Sequence, residues 1–312
     1  MNNTLVTLFG GGGFVGRYVA QALLAAGARV RIAERDPRRA YFLRPLGGLG
    51  QTQFVAADVT RRDSVERAVD GADWVVNLVG TFGPNLTGIH VDGARFIAEA
   101  ARSAGVKALV HLSANGADPA SDSDYGRTKG LGDEAVRAGF PAATILRPSI
   151  IFGREDQFTN RFARMIETFP AVPVLRGETK FQPVFVADVA DAVVAALRDP
   201  LAHGGRTYAL GGPDVLSMIE IQRFLARETG REKSFIELPD AAGALIARLG
   251  FLPGAPISWD QWLMLGHDNV VPAGDGGLAA LGIVPTPMAS VAPEWLVLYR
   301  KGGRFAARPE PA

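Results

Sequence analysis

The sequence feature that most constrains the fold of this chain is a run of glycines at the end of its first apolar segment. Gly10-Gly11-Gly12-Gly13-Phe14-Val15-Gly16 follows the apolar stretch 5–9 and opens a helical pattern. Glycine backbone lets a pyrophosphate approach closely, and the N-terminus of the following helix faces its negative charge. A strand, a glycine turn and a helix in this order predict a dinucleotide-binding turn. A glycine-rich turn without a ligand is the simpler alternative.

The first half of the chain alternates short β-branched runs with helical patterns, as in a parallel sheet covered by helices on both faces. Strands are predicted at residues 5–9, 29–33, 53–56, 74–78, 108–112 and 143–146. Helices are predicted to begin near Phe14, Ser64, Gly93 and Tyr125. We therefore expect an α/β fold: a Rossmann-type doubly wound parallel sheet with a smaller, discontinuous C-terminal cap.

The 312 residues exceed a lone dinucleotide-binding domain and leave room for a second lobe. We assign residues 1–150 to an NAD(P)-binding Rossmann domain. Residues 183–211 are expected to return to it, through a strand at 184–186, a helix at 188–197 and a strand at 207–210. The substrate lobe, or cap, is assigned 151–182 and 212–300, and 301–312 is expected to form a tail.

Composition excludes several classes of function. The net charge of +1 and the 21% of charged residues argue against a nucleic-acid surface, so a small-molecule substrate is the expected partner. The chain has no cysteine, and its four histidines show no ligand spacing, so no metal site is predicted. No apolar stretch approaches the roughly 20 residues that span a bilayer, and no leader precedes the first strand. The expected location is the cytoplasm, with peripheral attachment at the inner face of a membrane as the alternative.

The end of the second strand bears on the choice of nucleotide. An acid there would hydrogen-bond the adenosine ribose of NAD(H), and Glu34 stands at that position. The next residue, Arg35, together with Arg17 after the glycines, would pair with the 2′-phosphate of NADP(H). We favour NADP(H), with NAD(H) as the alternative, although Arg35 can also be read as part of a solvated basic face.

A tyrosine and a lysine follow the fifth strand with helical spacing. Tyr125 and Lys129 are one turn apart, hence on one face of the predicted helix. A nearby ammonium and an oxidised nicotinamide would favour the phenolate, so Tyr125 can relay a proton while a hydride moves. Ser113, at the end of the preceding strand, can polarise a substrate carbonyl. By itself such a pair is more often an exposed surface pair, and its place after the fifth strand favours the catalytic interpretation.

Taken together, these motifs resemble the extended short-chain dehydrogenase/reductase family, in the same order along nearly the whole chain. The resemblance adds Asp58-Val59 as the adenine-contacting pair, Asn77 to Gly80 as the motif of the fourth strand near the cofactor, and Arg147 to Gly153 as the nicotinamide segment. It implies Ser113, Tyr125 and Lys129 as catalytic residues. The cofactor-binding residues expected from the turn and the resemblance are Gly10, Gly13, Phe14, Val15, Gly16, Arg17, Glu34, Arg35, Asp58, Val59, Leu78, Val79, Gly80, Lys129, Pro148 and Ile151.

A narrower resemblance is carried by Gly16 to Val19, Ile151 to Phe158 and Gln182 to Val189. These segments are similar to the NADPH-binding accessory subunit family of respiratory complex I. The resemblance implies a nucleotide held structurally and peripheral association with a membrane respiratory complex. The chain departs from that family in keeping Ser113, Tyr125 and Lys129 together, and in carrying Glu34. In another register of the strand end, Asn115 takes the carbonyl-binding place of Ser113.

Three hypotheses follow. The first is an NAD(P)(H)-dependent oxidoreductase acting on a carbonyl or quinone-like substrate. The second is a non-catalytic NADPH-binding structural or assembly protein associated with respiratory complex I. The third is a sugar-nucleotide epimerase or dehydratase, which ranks lower because the cap shows no nucleoside-diphosphate motif.

Overall fold

The computed structural model of the protein describes residues 1–252, 255–274 and 276–305. The strands are β1 Leu5–Phe9, β2 Arg29–Glu34, β3 Thr52–Ala56, β4 Trp74–Asn77, β5 Ala108–Leu112, β6 Thr144–Pro148, β7 Ile151–Phe152, β8 Ala171–Leu175, β9 Lys180–Phe181, β10 Val184–Phe185, β11 Thr207–Leu210, β12 Leu216–Ser217 and β13 Ser234–Leu238. The α-helices are α1 Phe14–Ala25, α2 Arg62–Val69, α3 Gly93–Ser103, α4 Asp124–Gly139, α5 Phe158–Thr168, α6 Val186–Arg198, α7 Pro200–His203, α8 Met218–Glu228, α9 Asp240–Arg248, α10 Trp259–Met264, α11 Met288–Val291 and α12 Pro293–Leu296. From residue 306 onward, the predicted tail lies outside the described residues.

The chain forms two compact units. The first comprises Met1–Pro148, Val186–Leu210 and Pro272–Val284, and the second comprises Ser149–Phe185, Gly211–Val271 and the described residues from Pro285 onward. The stretch Pro272–Val284, which the sequence places in the cap, belongs to the first unit. There a Cβ at Gly277 would lie 2.7 Å from the Ala209 carbonyl oxygen, so this stretch approaches the backbone of β11.

The first unit is built on a seven-stranded parallel sheet in the order β11-β6-β5-β4-β1-β2-β3. The predicted Rossmann-type sheet is confirmed. The chain leaves β1 toward β2 on one side and later returns to β4 on the other, so the strand order reverses between β1 and β4. Ligands of such sheets bind at that reversal, beyond the carboxyl ends of the strands.

Apolar side chains hold helices against both faces of this sheet. Val75 and Leu109 of the sheet pack with Ile97 of α3 and Val136 of α4 in one buried cluster. In α1, buried residues recur at helical spacing, as expected of a helix with one face on a core. Fully burying one such aliphatic side chain contributes about 1.5–3 kcal/mol.

Several strand boundaries differ from the sequence prediction by one or two residues, and two of the differences affect the sheet or the site. The strand predicted at 184–186 was expected to return to the main sheet, and this is wrong: Val184 and Phe185 pair with Ile151 and Phe152 of β7 in the second unit. Val186 already begins α6, since such a short apolar run fits a strand or a helix equally well. The sixth strand was predicted to end at residue 146 but continues through Pro148, because a proline at a strand end can still accept a hydrogen bond, here from Asn115 N at 2.8 Å.

The second unit combines short strand pairs with helices. β8 pairs with β13 in parallel, and β9 pairs with β12 antiparallel. Its core includes Phe152, Ile166, Phe224 and Trp295, and α8 begins at a capping box formed by Ser217 and Glu220. Trp262 of α10 is buried in a small cluster.

No helix in the described ranges is long and apolar enough to cross a membrane.

Candidate nucleotide-binding and active site

The glycine turn lies between β1 and α1, at the reversal of the strand order. Gly10 has φ +80°, and a Cβ there would lie 3.3 Å from the Leu78 carbonyl carbon. A Cβ at Gly16 would lie 2.2 Å from the Gly10 carbonyl oxygen. Gly10 is therefore required for its left-handed backbone conformation, and Gly16 for the close packing of α1 against the turn. Gly13 is the N-cap of α1 and provides no side-chain cap, so the first N–H groups of the helix fit a phosphate.

The residues that the sequence places on this turn all lie on it or on the first turn of α1. Phe14, Val15 and Arg17 belong to α1, and the Arg17 guanidinium lies over the Phe42 ring, 4.7 Å from its centre. This cradle of unsubstituted backbone next to a helix N-terminus suits the pyrophosphate of a dinucleotide.

Glu34 and Arg35 differ in their surroundings. Glu34 ends β2, and its Oε1 accepts a hydrogen bond of 2.6 Å from the backbone N–H of Gly12. Its carboxylate therefore contacts the glycine turn. Arg35 is exposed, and its positive charge is among the influences that lower the pKa of Asp58.

Asp58 and Val59 follow β3. Asp58 Oδ1 accepts hydrogen bonds from Thr60 N at 3.0 Å and from Thr60 Oγ1 at 2.8 Å, and the backbone bond is the main reason that its pKa is lowered. Val59 is buried, and a Cβ at Gly93 would lie 3.0 Å from its side chain. Asp58 thus fixes a turn at the carboxyl end of the sheet, while Val59 packs against the start of α3.

The segment after β4 runs beside the glycine turn. Leu78 N donates to the Phe9 carbonyl oxygen at 3.0 Å, and Val79 N donates to Asn77 Oδ1 at 3.0 Å. The side chains of Leu78 and Val79 are half-buried, and Gly80 is exposed. These residues follow the carboxyl end of β4, on the other side of β1 from Glu34 at the end of β2. A segment at this place in the sheet is expected to lie near a bound nucleotide.

Tyr125 lies in the first turn of α4, which begins after the N-cap Ser123, whose Oγ accepts from Gly126 N at 3.1 Å. Its ring stacks on Phe82 with ring centres 4.3 Å apart, and meets the edge of His90 at 5.4 Å. Burial raises the pKa of Tyr125 to about 12. The phenol is therefore protonated at neutral pH.

Lys129 lies one turn further along α4 and is 3% exposed. Its Nζ donates a hydrogen bond of 2.8 Å to the carbonyl oxygen of Leu112, the last residue of β5. Burial lowers the pKa of Lys129 to about 8, while the charge of Asp133 acts in the opposite direction. The structure thus brings the amine to the carboxyl end of β5.

Ser113 follows Leu112 directly, and only 5% of it is exposed. Asp133 lies near it: burial raises the pKa of this carboxyl, and the influence of Ser113, Arg147 and Lys129 opposes that rise only in part. Pro148 ends β6 in the first unit, and Ile151 begins β7 in the second unit.

Sequence reasoning missed His90 and Asp133. His90 lies in a π-helical turn, Thr87–Asp92, where its Nε2 accepts from Thr81 N at 3.1 Å and its Nδ1 lies 2.9 Å from Thr128 Oγ1. Burial is the main reason that the pKa of His90 is lowered to about 4, so its ring is neutral. Asp133 follows Lys129 by four residues, as Lys129 follows Tyr125, so the helical spacing could have placed all three on one face of the helix. Nothing in the sequence marks the π-helical turn.

Comparisons with known proteins agree with this geometry. The model of the NAD dependent epimerase/dehydratase family matches residues 6–211. The chain is 37% identical over 297 residues to mouse "NADH dehydrogenase [ubiquinone] 1 alpha subcomplex subunit 9, mitochondrial", covering 92% of this chain and 78% of the relative. It is 32% identical to the "Ceramide reductase" of Caulobacter vibrioides, covering 81% of this chain and 80% of the relative. Among solved structures, the Escherichia coli NADPH-dependent quinone oxidoreductase QOR2 complexed with NADPH matches with a TM-score of 0.76 at 18% identity, covering 93% of this chain and 99% of that one.

Proposed function

The chain belongs to the NAD-dependent epimerase/dehydratase family, and on that premise we propose that it is an NADP(H)-preferring oxidoreductase that reduces a carbonyl or quinone-like substrate. The observation that carries the proposal is the arrangement of α4. Tyr125 contacts Phe82 in the segment after β4, and Lys129 bonds to the end of β5, so both reach the edge of the sheet where the glycine turn lies. A surface pair would show neither the burial of Lys129 nor these contacts.

The two side chains have complementary roles in a reduction. A bound reduced nicotinamide supplies the hydride. The Tyr125 phenol, protonated at neutral pH because burial raises its pKa to about 12, donates the proton to the carbonyl oxygen. The Lys129 ammonium stabilises the phenolate left behind and can hydrogen-bond a ribose. Ser113 or Asn115 would then polarise the carbonyl, and the burial of Ser113 favours Asn115, which is half-buried.

NADP(H) preference is supported by the surroundings of the adenosine end. Glu34 is hydrogen-bonded to Gly12 N, so one of its carboxylate oxygens is engaged by the turn. Arg35 is exposed, and its positive charge helps to lower the pKa of the Asp58 carboxyl. Arg17 lies on the first turn of α1. Two arginines near the end of β2 and the glycine turn favour a 2′-phosphate.

The test is the Tyr125→Phe variant. We expect NADPH affinity to stay within about threefold and the kcat for the best carbonyl or quinone substrate to fall by about 100-fold or more, since a positioned general acid contributes about 10²–10⁴. Turnover is measured by NADPH absorbance with a panel of benzoquinones, naphthoquinones and long-chain ketones. Tyr41→Phe, at an exposed tyrosine, is the matched control. Unchanged kcat in Tyr125→Phe would reject the proposed role.

A second candidate is a non-catalytic NADPH-binding component of a respiratory complex. It is supported by the 37% identity to the mouse protein, whose name describes a mitochondrial NADH dehydrogenase subunit. Bound nucleotide would then act as a folding ligand and stabilise the native state by mass action. The rate at which co-purified nucleotide dissociates separates the candidates. Exchange within seconds supports the oxidoreductase, whereas release only on unfolding, with co-migration in a large complex on a native gel, supports the structural role.

A further inference from the structure

A chain of buried hydrogen bonds begins at the segment after β4. Asn77 and His111 are register partners on β4 and β5, and Asn77 Nδ2 lies 3.0 Å from His111 Nδ1. The Asn77 amide is oriented by Val79, whose backbone N–H donates to Asn77 Oδ1. Because the amide nitrogen can only donate, His111 Nδ1 is the acceptor and the ring proton is on Nε2.

The protonated side of His111 faces Asp133. His111 Nε2 lies 3.5 Å from Asp133 Oδ1, and burial is the main reason that the pKa of His111 is held well below its ordinary value. These two atoms and Ser113 Oγ are buried polar atoms without a hydrogen bond of ordinary geometry to any described residue. Buried polar atoms without a hydrogen bond are costly, so this arrangement needs a reason.

The other carboxylate oxygen is held by an arginine. Arg147 Nε and Nη2 both lie 2.8 Å from Asp133 Oδ2. A guanidinium stays charged at any ordinary pH, and its paired contacts favour the ionised carboxylate. Asp133 is therefore held from β6 by Arg147, whose charge favours the carboxylate form against the burial that raises its pKa, and its other oxygen faces His111 on β5 at 3.5 Å.

This carboxyl lies one helical turn beyond Lys129, on the same face of α4. A buried ammonium is costly without a nearby opposite charge. Burial alone lowers the pKa of Lys129, and the Asp133 carboxylate raises it. Without that carboxylate, the amine would lose its proton at a lower pH.

We propose that Asn77, His111 and Asp133 form a positioning network that keeps Lys129 charged for the cofactor and for Tyr125. The role of that charge rests on the proposed function, whereas the network itself does not. Asp133 acts through Lys129 and is a positioning residue. The other titratable or charged groups around the pair are His90 in the π-helical turn, Tyr125 and Arg137 on α4, His111 on β5 and Arg147 on β6.

The experiment is a direct titration of Lys129 in the full chain by NMR, with lysine labelled with ¹³C at Cε. The chain has only five lysines, and Lys129→Met assigns the signal. In the wild type we expect a midpoint near pH 8, following the pKa of about 8. In Asp133→Asn we expect the midpoint to fall by about one pH unit or more, because an opposite charge at this range shifts a pKa by about 1–3.

Glu134→Gln is the matched control, since it removes an exposed carboxylate next to Asp133 in sequence. We expect no change in the Lys129 midpoint there. If Asp133→Asn does not fold, the double variant Asp133→Asn with Arg147→Met is compared with Arg147→Met alone, so that the loss of the guanidinium is common to both and the difference in the Lys129 midpoint reports Asp133. An unchanged Lys129 midpoint in whichever variant folds overturns the proposal.

The experiments distinguish a failure of the proposed network from a failure of the proposed oxidoreductase function. A lowered midpoint in a protein that shows no turnover supports the network and counts against the oxidoreductase. Tyr125-dependent turnover with an unchanged midpoint supports the oxidoreductase and overturns the network.

Discussion

Glu34 and Arg35 are adjacent in sequence but have different surroundings, which decides how each can affect the nucleotide. Glu34 bonds to the glycine turn, and Arg35 is exposed. We expect Arg35→Ala to weaken NADPH binding by about 10-fold or more with little effect on NADH, because hydrogen bonds to charged groups contribute about 1.5–3 kcal/mol. Fluorescence titration with both nucleotides measures this.

Arg38→Ala is the control for that substitution. Arg38 is also exposed and is paired with Asp36 at 3.2 Å, so its removal should affect neither nucleotide strongly. Equal losses of NADPH and NADH affinity in Arg35→Ala would show that the arginine does not select a 2′-phosphate.

The sequence indicates candidate site residues where chemistry follows from spacing. Tyr125 and Lys129 were found because helical spacing places them on one face, and the glycine turn because its conformations need glycine. The surroundings of Ser113 were beyond sequence reasoning, since its hydroxyl is buried near Asp133, which another element contributes. Buried polar contacts between distant elements leave little trace in local patterns.

At the scale of elements, α4 contains glycines that reduce its intrinsic stability. Glycine in a helix interior usually costs about 1 kcal/mol relative to alanine. At Gly132, however, a Cβ would lie 2.3 Å from the His90 carbonyl oxygen. The glycine therefore permits close packing of α4 against the π-helical turn that carries His90.

We expect Gly132→Ala to lower stability by about 1–3 kcal/mol, the cost of overpacking, in place of the usual gain. Urea unfolding followed by circular dichroism measures it. Ala135→Gly, at a half-buried position in the interior of the same helix, is the reverse control and should cost about 1 kcal/mol. A more stable Gly132→Ala variant would contradict the close packing.

Elements with strong patterns were predicted well, and short ones were not. The bounds of β1 and β5 agree with the sequence because continuous apolar runs of that length fit a buried strand. Strand β10 has two residues, and its partner β7 is distant in sequence, so no local pattern could indicate the pairing.

At the scale of the whole molecule, the first unit is assembled from separate stretches of chain. The strand Thr207–Leu210 returns to β6 as predicted, because it is an apolar run of ordinary strand length. The stretch Pro272–Val284 has no such pattern, and its place beside β11 depends on close backbone approach at Gly277. Assignments of this kind require the tertiary structure.

The stability of the whole chain should depend on pH through His90. Its folded pKa is about 4 and its ordinary value is 6.5, so below that value the unfolded chain takes up a proton that the folded chain does not. Stability should therefore fall as pH drops from 6.5 toward 4, by about 2 kcal/mol at about pH 5. Urea unfolding at about pH 7.5 and pH 5 measures the difference.

His90→Gln removes this titration while keeping a polar side chain at position 90. The free energy of unfolding of this variant should therefore fall by about 2 kcal/mol less than that of the wild type between the two pH values. His267→Gln, at an exposed histidine, is the control and should behave as the wild type. Parallel losses in the wild type and His90→Gln would show that His90 is not the group responsible.

The orientation of the Asn77 amide depends on a main-chain N–H, that of Val79. Every residue except proline carries this group, so a substitution at position 79 that the neighbouring core accommodates still preserves the His111 tautomer. The proton arrangement next to Asp133 is therefore insensitive to such substitutions at that position. Such substitutions change the side chain in the segment after β4 without moving the ring proton of His111.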